Sequence, residues 1–530
     1  MSSSSRMARD AGLTGVATLT SRVLGLVRDQ VLAAFFGAGN EMDAFVVAFR
    51  IPNLVRDLFA EGAMSAAFVP TFTRELTRRG KRDAWRLGNN VLNALLVVTG
   101  VLVVAGIVFA RPLIGLYAGD FASVPGKLEL TVRLTRVVLP FLTMVAVAAA
   151  AMGMLNSLHH YFVPALSPAM FNVATIAGVF VLVPLMPRFG LPPIMAVAIS
   201  ALAGGVGQVA LQWPALRREG FRYAPLLDPR DPALRRVLLL MGPGTIGLAA
   251  TQVNLFVNTL LATSQGTGAA SWLTYAFRLM YLPIGLFGVS IGTAVLPAVS
   301  RHASVGDTAA IRHTVSRGLA LMLMLNVPAT LGLMVLATPI VQLLFERGHF
   351  LPADTAATAA ALRLYAAGLI GYSAVRIASP TFYAIGESRT PAIVSVSAIA
   401  VNVIASVTLV RAIGFQGLAL GTSIAAIVNA ALLLWLLHRR LGGVEGRALL
   451  ATLAKVTVSS LVMAAAAVAI QRAMDRVAPG AHLTPQAIRL GATIGGSVVV
   501  LAVMARVLGV EAFDEAVEMA QARVRKLLGK

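Results

Sequence analysis

Six arginines stand inside apolar segments where a membrane-crossing helix ordinarily carries none. They are Arg22 and Arg28 in SRVLGLVRDQ (21–30), Arg50 and Arg56 in FRIPNLVRD (49–57), Arg278 in YAFRLMYLP (275–283) and Arg376 in GYSAVRIAS (371–379). An arginine at the bilayer centre costs about 2.5–3.5 kcal/mol on insertion scales, so six facing lipid would cost more than about 15 kcal/mol. That is comparable with the whole stability of a domain. The arginines must therefore face a wet cavity, pair with acids, or reach an interface. Guanidinium is the side chain suited to forked binding of phosphate. A cation-lined cavity for an anionic, phosphate-bearing substrate is the leading reading. Local pairing of Arg28 and Arg56 with Asp29, Asp43, Asp57 or Glu61 is the structural alternative, and Arg50, Arg56 and Arg376 could also snorkel. Arg22 and Arg28 are six residues apart, as are Arg50 and Arg56. Six residues turn a helix by about 600°, so each pair is splayed about 120° around its axis.

Other polar residues are less specific. Asn258, Asn402, Ser406 and Thr422 are weak candidates for a coupling cation, but no carboxylate accompanies them and helix–helix hydrogen bonding is the plainer use. GPGTIG (242–247) matches a dinucleotide-binding pattern, yet it follows no strand and lies in an apolar span. No GxxxxGK[ST] motif is present, and His159 and His160 are adjacent without metal-ligand spacing. No nucleophile–base–acid constellation stands out. The expectation is a protein that is not an enzyme and needs no cofactor or metal.

The elements that hold these residues are membrane helices. The 530 residues are 57% hydrophobic and 13% charged, against about 25% charged in soluble domains, and mean hydropathy is +0.80. Continuous runs such as VLNALLVVTGVLVVAGIVFA (91–110) exclude the alternating pattern of a membrane barrel. The absence of cysteine removes disulfide and thiolate chemistry. Net charge is +21, and its placement decides what it means. Arginine and lysine crowd into loops around 74–86, 214–235, 301–317 and 439–447, while the loops 37–41 and 264–270 have none. That is the positive-inside pattern, not a nucleic-acid surface, and it places both termini in the cytoplasm.

Hydropathy gives about fourteen helical spans, an all-α polytopic fold. The chain also repeats. VAFR (47–50) returns as YAFR (275–278), 228 residues on. ARPLIGL (110–116) returns as ATPIVQL (337–343), and Pro164 as Pro391, both at an offset of 227. Two six-helix lobes follow: an N-lobe at 1–215 and a C-lobe at 216–441, expected to be parallel repeats about an axis along the membrane normal. Two extra helices fill 442–510, and 511–530 is an amphipathic cytoplasmic tail.

SRVLGLVRD, DAFVVAFRIPNLVRDLFAEGAMSAAFVP (43–70) and YAFRLMYLPIGLFGVSIGTAVLP (275–297) resemble the lipid II flippases of the MurJ/MviN family. That family sits in a larger superfamily with multidrug and polysaccharide exporters. The resemblance implies a bacterial inner-membrane protein. It would move an undecaprenyl-pyrophosphate-linked peptidoglycan precursor between leaflets by alternating access, with lipid II and membrane lipid as its partners. It implies cavity arginines at Arg22, Arg28, Arg56 and Arg278, cavity acids at Asp43 and Glu61, and a lipid-tail groove in the last two helices. Arg50 and Arg376 join the substrate-binding candidates from their position alone. The chain departs from the family at Phe277 and Tyr281, where relatives place acids, and at Asn258 and Ser406, where some place sodium-binding carboxylates. The other readings are a flippase for a different polyprenyl-pyrophosphate glycan, a cation-coupled drug exporter and a membrane scaffold.

Overall fold

The computed structural model describes the backbone of residues 3–56, 64–480 and 482–527, and side chains within them except 3–11, 55, 64–66, 242–251, 253, 286, 289, 290, 519, 520 and 522–527. All regular structure among the described residues is helical. The chain divides into two compact units, Met1–Ser271 with Arg347–Phe350, and Trp272–Glu346 with Leu351–Lys530.

The first unit holds α1 (Ser3–Phe36), α2 (Asn40–Arg56), α3 (Met64–Arg79), α4 (Lys81–Val108), α5 (Ala110–Tyr117), α6 (Lys127–Val138), α7 (Phe141–Ser157), α8 (Phe162–Leu166), α9 (Ala169–Leu182), α10 (Met195–Arg218) and α11 (Pro232–Thr263). α11 packs on α3 and α4, so the helix that opens the second sequence repeat belongs by contact to this unit. The backbone of GPGTIG is continuous helix within α11 and has no strand before it, which removes the nucleotide-loop geometry.

The second unit holds α12 (Ala269–Pro283), α13 (Val289–Ser304), α14 (Thr308–Val335), α15 (Ala337–Phe345), α16 (Pro352–Ala367), α17 (Leu369–Ala384), α18 (Arg389–Ile413), α19 (Gln416–Arg440), α20 (Gly446–Val477), α21 (Leu483–Val507) and α22 (Glu511–Leu527). A π-helical turn over Ile284–Gly288 joins α12 to α13 directly after Pro283, whose missing N–H disrupts the regular ladder. α20 pairs with α21 and packs on α14. The tail helix α22 rests on α14, where Arg317 pairs with Glu515 at 2.6 Å.

Nine segments among the described residues are long and apolar enough to cross a membrane. The apolar window expected at 314–345 is divided into α14 and α15, and the window expected at 42–72 holds α2 and α3 on either side of residues 57–63, which lie outside the described residues. The break between α14 and α15 has a cause in the repeated motif. Pro112 and Pro339, the third residues of α5 and α15, cannot donate to the carbonyls of Val108 and Val335, and a proline ring clashes with that carbonyl. Both helices break there in the same way. Phe109 has φ −92°, ψ 15°, and Leu336, 227 residues later, has φ −95°, ψ 13°.

A second device holds the loop after α10. The segment GNNVLN puts Asn89, Asn90 and Asn93 on one side of α4, all buried. Asn89 donates to the Arg222 carbonyl and accepts from the Ala224 N–H. Asn90 donates to the Asp228 carbonyl and accepts from the Asp228 N–H. Asn93 donates to the carbonyls of Ala224 and Leu226 and accepts from the Tyr223 hydroxyl. Residues 222–228 are thus laid along α4 by side-chain amides that do the work of a strand partner. Below them Trp85 packs edge-on against Phe221 at 5.3 Å, in a core with Phe68 and Phe72.

Candidate functional site

In the first unit, α1 and α9 together build the surroundings of Arg28. α9 is almost wholly apolar, and its one buried asparagine, Asn172, faces α1. Arg28 donates through Nε and Nη2 to Asp29 Oδ1 at 3.1 and 2.8 Å, and through Nη1 to Asn172 Oδ1 at 3.0 Å. Asn172 in turn donates Nδ2 to the Ser21 carbonyl at 3.0 Å, so the amide bridges one turn of α1 to the guanidinium. The Arg28 guanidinium lies 5.1 Å from the centre of the Phe171 ring. Phe171 stacks with Phe49 at 5.4 Å and meets Phe141 at 5.3 Å, a floor of three aromatic rings. The Arg28 side chain is 12% exposed and Asp29 only 5%. Low surrounding polarity strengthens each of these charge-assisted bonds. Arg28 is a braced cation, held in one orientation from three directions.

Arg22 differs. It is exposed, and it has no hydrogen-bond or ion-pair partner among the described residues. Arg50 is half-buried and its Nε is a buried donor without a hydrogen-bond partner among the described residues, as is the Asn53 Oδ1 acceptor beyond it on α2. Arg56 is half-buried at the end of α2 and has a partner. Glu61 lies outside the described residues.

Asp43 is engaged on every side. Its Oδ2 accepts from Lys127 Nζ at 2.9 Å and from the Gly268 N–H at 2.7 Å. Its Oδ1 accepts from the Ser271 N–H at 3.1 Å and the Ser271 hydroxyl at 2.7 Å. The two side chains of the ion pair are 1% and 2% exposed, and the ammonium also lies 4.1 Å from the Phe121 ring centre. The turn that presents the Gly268 N–H has φ 96°, which glycine adopts without strain. Asp43 therefore satisfies open N–H groups at the start of α12 and anchors α6 to α2. Lys127 escaped the sequence reading. Its signal is that it is a lone lysine beside a loop on the face where basic residues are otherwise scarce.

In the second unit, Arg278 is half-buried on α12 with a partner. Phe277 and Tyr281 stack at 5.9 Å, and Phe277 also meets Tyr365 edge-on at 5.4 Å. Arg376 donates Nη2 to the Tyr281 hydroxyl at 2.8 Å. Among the described residues Arg376 is thus hydrogen-bonded to a phenol and has no acid partner.

The polar residues of α18 and α19 face each other. Asn402 donates to Thr422 Oγ1 at 3.3 Å, and Asn402, Ser406 and Thr422 are buried. Asn258 belongs to α11, in the other unit. No cluster of three His, Cys, Asp or Glu that could hold a metal occurs among the described residues. His159 contacts Tyr161 and His160 contacts Glu219, so the histidine pair serves loop contacts.

Repeated membrane-crossing helices with arginines placed inside them define the class as a multi-pass membrane transporter. Its architecture is shared by an inward-facing multidrug-resistance transporter of the MATE family, with a TM-score of 0.66 over 82% of this chain and 98% of that one at 17% identity. The profile of the family described as lipid II flippase MurJ matches residues 32–485. The chain belongs to that family. A probable lipid II flippase MurJ of Bdellovibrio bacteriovorus is 36% identical over 96% of this chain and 95% of that protein. The lipid II flippase MurJ of Burkholderia cenocepacia is 35% identical over 80% and 82%. A solved lipid II flippase MurJ in an inward closed conformation superposes with a TM-score of 0.76 at 26% identity, covering 94% of this chain and 99% of that one.

Proposed function

We propose that this protein is a lipid II flippase of a bacterial inner membrane, carrying an undecaprenyl-pyrophosphate-linked precursor from the inner to the outer leaflet. Both termini and the basic loops at 74–86, 214–235 and 439–447 lie in the cytoplasm. Family membership across 32–485 supports the substrate class. The observation that carries the mechanism is the division of labour on α1. Arg28 is braced by Asp29 and Asn172, while Arg22, one and two-thirds turns away, is exposed and unpaired among the described residues. A pyrophosphate leaving the headgroup region meets Arg22 first, because no acid among the described residues competes for that guanidinium. Arg28, pre-oriented over the aromatic floor, then supplies a fixed positive field without a reorganisation cost. Arg50 and Arg56 extend the cationic lining within the first unit, Arg278 and Arg376 are the corresponding candidates of the second unit, and alternating access carries the bound headgroup across. Asp43 acts by holding α2, α6 and the start of α12 together. The last two membrane-crossing helices, α20 and α21, receive the lipid tail.

The test is flipping of fluorescent lipid II in cells depleted of their own flippase. Arg22→Ala is expected to lower transport roughly ten- to hundredfold, the loss of one charge-assisted contact, with protein level unchanged. Arg28→Ala should lower both transport and folded protein, because it leaves Asp29 buried without its salt bridge. Wild-type transport by Arg22→Ala, or rescue of Arg28→Ala by Asp29→Asn, would remove the pyrophosphate-binding role. Precursor accumulation that persists when the wild-type chain is expressed would favour a flippase for another polyprenyl-pyrophosphate glycan.

A further inference from the structure

The two helix breaks carry a matched pair of arginines. Arg136 on α6 donates Nε to the Ile107 carbonyl at 3.3 Å, and Arg363 on α16 donates Nε to the Met334 carbonyl at 3.3 Å. Arg136 and Arg363 are 227 residues apart, and so are Ile107 and Met334. The same donor atom meets the same carbonyl in both copies of the repeat. These carbonyls belong to the last turns of α4 and α14, where an α-helix runs short of its own donors; the Ile107 carbonyl also accepts a backbone N–H at the cap, so Arg136 is its second donor. Pro112 and Pro339 ensure that the following short helices cannot close the adjacent ones.

Satisfying a carbonyl needs only a neutral donor. An arginine brings a permanent charge as well, and both of these are exposed. The terminal nitrogens of Arg136 have no partner among the described residues, and Arg363 uses one of its own on the Thr338 hydroxyl at 2.8 Å. Their depth follows from α4. That helix starts at the basic Lys81–Arg82 end and runs 28 residues, about 42 Å, against roughly 30 Å of hydrocarbon. Ile107 is thus at the opposite membrane surface, at headgroup level. Val101, Val104, Val108 and Phe109 are each more than 60% exposed, an apolar strip that leads along α4 to the break. The Arg136 guanidinium, with unused donors at the end of this lipid-facing strip, meets phosphodiesters before it meets anything else, and Arg363 holds the equivalent place in the second repeat.

We propose that Arg136 and Arg363 form two equivalent sites for phospholipid headgroup phosphate, one in each repeat, on the membrane face opposite the basic loops. One edge of each guanidinium locks the helix break and the rest binds the phosphate. Lipid at these positions ties the short helices α5 and α15 to the membrane surface. The inference does not depend on which substrate the protein carries.

The experiment is native mass spectrometry of the full chain in detergent with added phosphatidylglycerol, comparing wild type with R136Q, R363Q and the double variant. Glutamine keeps a neutral donor for the carbonyl and loses the charge. Each single variant is expected to lose one tightly held lipid, with affinity at that site reduced about tenfold or more, and the double variant two. The melting temperature should stay within about 2 °C, since the break keeps its hydrogen bond. R136K and R363K, which keep charge but lose the fork, should fall between wild type and glutamine, and they carry the test if the glutamine variants do not accumulate. Inorganic phosphate in millimolar excess should not displace the lipid. A flat series across Arg, Lys and Gln would overturn the proposal and leave the arginines as carbonyl locks. The same lipid loss in R188Q, a control at an exposed arginine of the short turn Val183–Phe189 that holds no helix-break carbonyl, or displacement by free phosphate, would equally overturn it.

Discussion

The buried pair of Asp43 and Lys127 makes an asymmetric prediction. Both side chains are at most 2% exposed, and removing one partner of a buried pair leaves an uncompensated charge. The two removals are not equal here. In Lys127→Met, Asp43 keeps the Gly268 N–H, the Ser271 N–H and the Ser271 hydroxyl. The loss should be about 1.5–3 kcal/mol, that of one charge-assisted bond. In Asp43→Asn, the ammonium keeps, among the described residues, only the Phe121 ring face as a charge-stabilising contact, worth about 0.5–2 kcal/mol. The loss should then approach the 3–5 kcal/mol of a broken buried pair. The double variant Asp43→Asn/Lys127→Met should be no less stable than Asp43→Asn alone, because neither charge is then stranded. The assay is chemical unfolding in mixed micelles followed by tryptophan fluorescence, analysed as a double-mutant cycle. Costs that simply add in the double variant, or an Asp43→Asn protein within about 0.5 kcal/mol of wild type, would refute the reasoning.

Asn93→Ala removes three hydrogen bonds to residues 223, 224 and 226, so limited trypsin digestion should open at Arg222 and Arg230 at lower protease concentration than in wild type. The His160 hydrogen bond, then the Lys81 contact, hold the Glu219 carboxyl below the ordinary carboxylate range. A lowered pKa stabilises above the unfolded value of about 4.3 and is lost as pH falls through the lowered folded value. Glu219→Gln should therefore cost a small drop in melting temperature at pH 7 that shrinks as pH falls below about 4.3 and is gone once pH is below the lowered folded value. Asn402 and Thr422 bond to one another without a carboxylate, so replacing sodium by potassium should change transport less than about twofold, within the spread of weak, unassisted sites. A steep sodium dependence abolished by Asn402→Ala would contradict this.

Hydropathy and the internal repeat were readable because they are local or periodic. The span at 416–438 became α19 at Gln416–Arg440, and the match of ARPLIGL to ATPIVQL marked two helix breaks with one backbone geometry. The arginines were visible because a charge in an apolar run is an anomaly anyone can see in one dimension. Their different states were not. Arg28 finds Asn172 from 144 residues away, and Asp43 finds Lys127 from 84. Nothing in a sequence window distinguishes a braced arginine from an exposed one. The three asparagines of α4 were similarly silent, since polar residues at the mouth of a membrane helix look like ordinary interfacial residues until the loop they hold is seen.

That asparagine clasp also has a mechanical meaning. Amides carry no titratable proton, so its grip is the same at any physiological pH and is barely changed by salt. The stretch is held along α4 at four successive points, Arg222, Ala224, Leu226 and Asp228. Pulling the first turn of α11 away from α4 would load the bonds of Asn90 first, since it holds Asp228 beside the Asp231 cap, and those of Asn89 and Asn93 afterwards. The connector behaves as a zip with a fixed opening order, not as a free hinge. A tag or reporter inserted between 222 and 228 would jam it, whereas one placed at Gly220, before the first tooth, would leave the zip to close.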